Sequence, residues 1–183
     1  EAESIRMGGV PFEDRGMDDE VEDTSTPQNL WELVMTYQEA DASWAEKEEA
    51  VRTLEGLWGK GLTVAAHQLG KCYRDGLGVI PDEEQAEVWF RSSAQAGNDY
   101  SQYALGKLLQ GQGRITEAVE WYGQAATQRN QYADYRLGKL YLVGKEVPKD
   151  AEKAVRYLTA SAEAGNQYAQ YALGKLYLMG QEV

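Results

Sequence analysis

The chain is poor in the residues from which reactive sites are most often built. Cys72 is its only cysteine, so neither an intrachain disulfide nor a cysteine-ligated zinc site can form within it. His67 is its only histidine and cannot form a histidine metal site alone. A single cysteine favours a reducing compartment, and we expect the protein to be cytoplasmic.

Long apolar runs and glycine-rich loops are lacking as well. No apolar run approaches the roughly 20 residues that a membrane-spanning helix needs, and the first residues do not resemble a signal peptide. The glycines stand singly, not in a phosphate-binding loop. Acidic pairs such as Asp18-Asp19 and Glu48-Glu49 fit a polar tail and a helix surface better than acid–base catalysis. We therefore expect no enzyme activity, no cofactor or metal, and no membrane insertion.

What the sequence does have is acidic charge, concentrated near its start. Residues 1–59 carry 16 acidic and 4 basic side chains, whereas residues 60–183 carry 14 of each. Residues 1–28 are predicted to be an acidic arm or linker. Nucleic-acid binding requires clustered lysine and arginine to contact the phosphates, and this chain is acidic in its first third and neutral elsewhere. We therefore do not expect a nucleic-acid partner.

The rest of the chain is internally repeated. Four glycines mark the same position in four similar segments and are spaced by 36, 32 and 36 residues. The segments are HQLGKCYRDG from His67, YALGKLLQGQ from Tyr103, YRLGKLYLVG from Tyr135 and YALGKLYLMG from Tyr171. The four residues missing from the second segment's unit lie in the turn between Gly106 and Ala118. The register also reaches back to Ala50-Val-Arg-Thr-Leu, which matches Ala154-Val-Arg-Tyr-Leu.

These markers divide residues 29–183 into units of two helices. The units are residues 29–62 (degenerate), 63–98, 99–130 (short), 131–166 and a half unit, 167–183. Apolar side chains in each half recur at amphipathic helical spacing. Asp82 and Asp150 are predicted to cap second helices, and Gly144 to end a first helix in the left-handed region. Arg129 replaces the glycine that ends the other second helices, so we expect a differently built or slightly strained helix end there.

The pattern resembles the Sel1-like repeat, a relative of the tetratricopeptide repeat with a longer turn between its helices. The resemblance rests on Ala-x-x-x-Leu-Gly-x-x-Tyr at 133–141, on the turn at 76–82 and on the Ala-x-x-Trp-Phe/Tyr helices at 86–90 and 118–122. It implies an all-α, right-handed α-solenoid that binds other proteins without catalysis. The sequence GNQYAQYALGKLYLMG at 165–180, with VPKD at 147–150, is also similar to repeat regions of bacterial plasmid-mobilisation relaxases. This resemblance implies an alternative: an accessory region that positions a relaxase domain or contacts the transfer machinery.

Two side-chain columns along the first helices suggest a binding face, because the resemblance implies that the first helices line the concave surface of the solenoid. One column is His67, Tyr103, Tyr135 and Tyr171; the other is Lys71, Lys107, Lys139 and Lys175. Tyrosine offers contact area at low entropy cost, and lysine attracts carboxylates, so a peptide or protein partner, possibly acidic, is one interpretation. In the other, the tyrosines pack between units and the lysines are merely solvated.

Two further hypotheses concern the ends of the chain. The acidic arm could lie in the groove of its own chain or of a neighbouring one, against the lysine column. The sequence begins without Met and stops within a unit at Val183, so we expect a piece of a longer protein. Leu173, Leu176 and Tyr177 would then lack the cover of a second helix, and end-to-end self-association is predicted.

Overall fold

The described residues form a single row of helices. The structure is a computed structural model, and it describes residues 41–178 together with Glu39. No strand occurs within these residues. The helices are α1 (Trp44–Gly59), α2 (Val64–Asp75), α3 (Glu83–Gln95), α4 (Asp99–Gly111), α5 (Ile115–Thr127), α6 (Gln131–Val143), α7 (Ala151–Glu163) and α8 (Gln167–Leu178). Each packs chiefly on the helices before and after it in sequence, so the predicted all-α solenoid is confirmed.

Repeated caps begin and end the helices where the sequence predicts. Asp82 accepts a hydrogen bond from the backbone N–H of Gln85 at 3.0 Å, and Asp150 accepts one from Lys153 at 2.9 Å. The asparagines that precede α4, α6 and α8 cap those helices in the same way. Gly144 ends α6 with φ 66°, in the left-handed region. Each cap satisfies backbone groups that the helix itself leaves unpaired.

The repeated glycines inside α2, α4 and α6 each lie directly against a side chain of the paired second helix. A Cβ added to Gly70 would lie 2.5 Å from the Phe90 ring, and one added to Gly138 would lie 2.7 Å from Leu158 Cγ. Gly106 meets Tyr122 in the same way at 2.7 Å. These distances are too short for real carbon atoms, so glycine is required and its cost in helix propensity is offset by packing.

The short unit closes its turn differently. Only three residues separate α4 from α5, whereas seven separate α2 from α3. Arg114, in that short turn, donates from Nη1 to both carboxylate oxygens of Glu87 at 2.9 Å, and from Nε to Glu117 at 2.8 Å. Burial acts to raise the pKa of Glu87, but hydrogen bonds from Arg91 and Arg114 outweigh it and hold that pKa below its usual value. These ion pairs join α3 to α5 where the longer turn is missing.

Arg129 confirms the predicted irregularity at the end of α5. Its φ is 64°, and it is the one non-glycine residue with positive φ in the described part of the chain. Gly97 and Gly165 adopt φ 94° and 97° at the corresponding helix ends. A side chain in this region stores about 1 kcal/mol or more of backbone strain.

Helix α1 is the first described helix and lies within residues 29–62, the predicted degenerate unit. Helix α1 begins at a capping box in which Ser43 and Glu46 exchange hydrogen bonds. Ala50, Val51 and Leu54 of α1 are buried and form a small core with residues of α2. The expected first helix of that unit, and the acidic arm, lie outside the described residues.

Candidate protein-interaction surface

The tyrosine column packs between consecutive units. Tyr103 is 3% exposed, and its ring centroid lies 6.0 Å from that of Tyr122 and 5.7 Å from that of Tyr132 in the next unit. Tyr135 is 4% exposed and contacts Tyr168 of the following unit at 5.8 Å. Tyr171, by contrast, is 55% exposed. The sequence left partner contact and packing open for these rings, and Tyr103 and Tyr135 occupy packing positions.

His67 takes the same position one unit earlier, but in a polar setting. Its exposure is 4%, and its Nδ1 lies 2.8 Å from Ser101 Oγ. Ser101 Oγ in turn donates to Ser93 Oγ at 2.7 Å, and both serines are fully buried. The histidine ring also lies against Phe90 and Tyr100. A partner cannot reach this network, which joins two units through hydrogen bonds instead of tyrosine packing.

The lysine column lies at the surface beside these rings. Lys71, Lys107 and Lys139 are half-buried, and Lys175 is exposed. The Lys139 ammonium lies 5.4 Å from the centroid of the Tyr135 ring, a cation–π distance that orders this side chain. We name the face that carries the four lysines, on α2, α4, α6 and α8, the first-helix wall.

Three half-buried tyrosines also stand along the first-helix wall, at the start of each first helix after α2. They are Tyr100, Tyr132 and Tyr168, which occupy one register position. Each lies against the aromatic residue of the preceding unit, at centroid distances of 6.5, 5.7 and 5.8 Å from His67, Tyr103 and Tyr135. Their exposed edges provide apolar contact area next to the lysines.

Charge is divided between the two sets of helices. The first helices α2, α4, α6 and α8 carry six basic and three acidic residues, a net charge of +3. The second helices α1, α3, α5 and α7 carry five basic and eleven acidic residues, a net charge of −6. The first helices are therefore the positive set in a chain whose overall charge is −12.

Reactive groups are not assembled in the described part of the chain. No group of three or more His, Cys, Asp or Glu within it could hold a metal ion. Burial raises the pKa of the Cys72 thiol to about 12, which keeps this buried side chain protonated and unreactive. None of the described helices is both long and apolar enough to cross a bilayer.

Helix α8 is the last described element, and its apolar residues differ in exposure. Leu176 is 8% exposed and belongs to the main core, and Leu173 is half-buried against the same core. Tyr177 and Leu178 are 72% and 89% exposed. Of the three residues expected to lack cover, therefore, only Tyr177 is largely exposed.

Sequence reasoning missed several residues that shape this surface. Tyr100 and Tyr168 align with Tyr132 at the repeat spacings of 32 and 36, and that alignment was the available signal. The pairing of Ser93 with Ser101 had no comparable signal, because alanine fills both positions at the next unit boundary.

Comparisons with known proteins agree on the repeat. A family model described as Sel1 repeat matches residues 63–98, 99–130, 131–166 and 167–183. A crystal structure of a Sel1 repeat protein from Oxalobacter formigenes is similar, with 30% identity and a TM-score of 0.73 over 85% of this chain and 65% of that one. The structure of c5321, a protective antigen of uropathogenic Escherichia coli with an SLR fold, matches with 31% identity and a TM-score of 0.72. That match covers 84% of this chain and 34% of c5321. No curated protein matches the sequence.

Proposed function

Because the chain belongs to the Sel1 repeat family, whose repeats mediate protein–protein interaction, we propose that it is a scaffold that binds an acidic peptide segment on its first-helix wall. Repeat proteins of this type are typically non-catalytic. The observation that carries the proposal is the division of charge, which places a column of four lysines on the first helices and most carboxylates on the second.

The wall supplies two kinds of contact to such a segment. Lys71, Lys107 and Lys139 would pair with carboxylates, while the exposed edges of Tyr100 and Tyr132 would cover apolar side chains between them. Half-buried lysines are restrained by the surface around them, so less conformational entropy is lost when a ligand pairs with them. In this proposal the buried column of His67, Tyr103 and Tyr135 sets the spacing of units and touches no ligand, whereas Tyr171 remains accessible.

Electrostatics decides which partner fits. The first helices that carry the wall have a net charge of +3 and attract an acidic segment, whereas the second helices, of net charge −6, repel it. The interaction should weaken as salt is added, because salt screens the attraction between exposed charges, and the screening length is about 8 Å at physiological ionic strength. A basic segment should show the opposite preference.

The test uses a fluorescein-labelled peptide of alternating glutamate and leucine, with a glutamine-for-glutamate peptide as reference. Fluorescence anisotropy should show that Lys107→Glu/Lys139→Glu weakens binding of the glutamate peptide by at least about tenfold. Lys145→Glu, an exposed change in the turn before α7, is the matched control and should have a small effect. Equal binding by all variants, or equal binding of both peptides, would remove the proposal.

Two further predictions from the sequence are part of this proposal. We propose a cytoplasmic location, which the lone cysteine favours, and self-association through the exposed Tyr177. The comparisons give no support to the sequence similarity with relaxase repeat regions. A role as an accessory region of a relaxase therefore remains an alternative that rests on the sequence alone. The genes or domains encoded beside this chain would decide that parentage.

A further inference from the structure

A cleft between a second helix and a turn has features of a second binding site. It has a volume of about 630 Å³ and lies between α1 and the turn that joins α2 to α3. Among the described residues, Tyr73, near the end of α2, is the one lining residue that comes from a first helix. The cleft is therefore separate from the first-helix wall and was not identified from the sequence.

The turn that forms one wall of the cleft is firmly held. Its backbone is tied to α2 by hydrogen bonds from Leu77 N–H to Cys72 at 3.0 Å and from Asp82 N–H to Tyr73 at 2.8 Å. Gly78 has φ 73°, and a Cβ there would overlap the backbone of Lys47 in α1. Only glycine allows this contact, which fixes the turn on α1 and preforms the cleft.

Apolar side chains are exposed on both walls of this cleft. Trp44, at the start of α1, is 54% exposed, and Ile80, in the turn, is 79% exposed. Val51 and Pro81 contribute further apolar surface beneath and beside them. Large apolar side chains that converge on a preformed cleft are characteristic of binding sites, since each gains free energy when a ligand removes it from water.

The polar lining of the cleft is acidic. Glu48, Glu55 and Asp82 line it together with one cation, Arg52. Arg52 is already paired with Glu48 at 2.7 Å, so the charge of Glu55 and Asp82 is not matched by Arg52. The hydroxyl of Tyr73 donates to Glu55 at 3.5 Å, and burial, followed by the charge of Glu55, raises the pKa of Tyr73. The cleft thus combines apolar walls with a net negative lining.

We infer that this cleft binds a basic–apolar segment of a second partner protein. An aliphatic or aromatic side chain of that segment would lie between Trp44 and Ile80, and a neighbouring lysine or arginine would pair with Glu55 and Asp82. The charge of the cleft selects against the acidic segment proposed for the first-helix wall. The chain would then hold two oppositely charged segments at two separate sites.

The test uses short peptides that carry one leucine beside two arginines, and a matched set with glutamate in place of arginine. In ¹H–¹⁵N spectra of the whole chain, the arginine peptides should shift the Trp44 indole signal. Ile80→Ser and Glu55→Gln should each weaken binding by about tenfold. Val143→Ser, at another exposed apolar side chain (63%), and Glu120→Gln are the matched controls and should have little effect.

Several results would overturn the inference. Equal binding of the glutamate peptides, or unchanged binding by Ile80→Ser, would show that the cleft does not select a basic–apolar segment. A dimer that Ile80→Ser disperses in sedimentation would assign the cleft to a second copy of the chain. Lys107→Glu/Lys139→Glu should leave the arginine peptides bound, which separates this site from the first-helix wall.

Discussion

Replacing Asp134 with asparagine should stabilise the protein at neutral pH. Asp134 lies in α6 and is 6% exposed. Gln102 and Gln170 hold the same position in the units on either side, and each donates from Nε2 to a backbone carbonyl of the preceding second helix at 3.2 Å. By register, the corresponding carbonyl is that of Ala126. An ionised carboxylate cannot donate such a bond, whereas an asparagine amide or a protonated carboxyl can.

The size of the effect follows from the pKa of this carboxyl. Burial raises the pKa of Asp134 from 3.8 to about 6 in the folded protein. Because the folded state favours the protonated form, ionisation destabilises it, and the penalty grows as pH rises from about 4 to about 6. Above that range the penalty is constant at about 3 kcal/mol, taking 1.36 kcal/mol for each pKa unit.

Urea unfolding, followed by tryptophan fluorescence, measures this difference. The gain in unfolding free energy of Asp134→Asn over the parent should be larger at about pH 7.5 than at about pH 4.5, by about 2 kcal/mol. Glu120→Gln, an exposed change on α5, is the control and should show no such pH dependence. A gain for Asp134→Asn that is the same at both pH values, or a loss of stability at neutral pH, would refute the reasoning.

Three other substitutions test the packing of the repeats by the same unfolding measurement. Arg129→Gly should raise stability by about 1 kcal/mol because it relieves the left-handed backbone strain, and a loss would show that the side chain compensates for it. Gly138→Ala should cost about 1–3 kcal/mol because its methyl group meets Leu158, whereas Gly174→Ala, at the equivalent position with no neighbour within 4 Å, should be neutral or stabilising. Arg114→Met should lower stability, and the loss should disappear in high salt because its ion pairs are partly exposed; a loss that salt does not change would contradict an ionic role.

Much of the fold can be predicted from the sequence because the same helix caps, turn residues and glycine positions recur in each unit. The glycine at position 138 recurs at a fixed register, and its presence inside an otherwise strong helix already indicates close packing, which Leu158 provides. Caps such as Asp150 act within one turn of helix, so the chain nearby is enough to place them. The length of each turn was equally visible in the repeat spacing.

The surface was harder to predict because exposure depends on the neighbouring unit. Tyr103 and Lys107 lie one turn apart on the same helix, yet Tyr103 is buried against Tyr132 of the next unit while Lys107 remains half-exposed. The cleft beside Ile80 depends on how a turn lies against a helix of another unit, which no local pattern encodes. Helical periodicity defines a face but not what covers it.

Chemical-shift mapping of the unmodified chain tests the central claim most directly. The ¹⁵N-labelled protein is titrated with the peptide of alternating glutamate and leucine. Binding on the first-helix wall should shift the backbone amides around Lys107 and Lys139, and these shifts should diminish as salt is added. Shifts confined to the second helices or to the cleft at Ile80, or no shift at all, would contradict it.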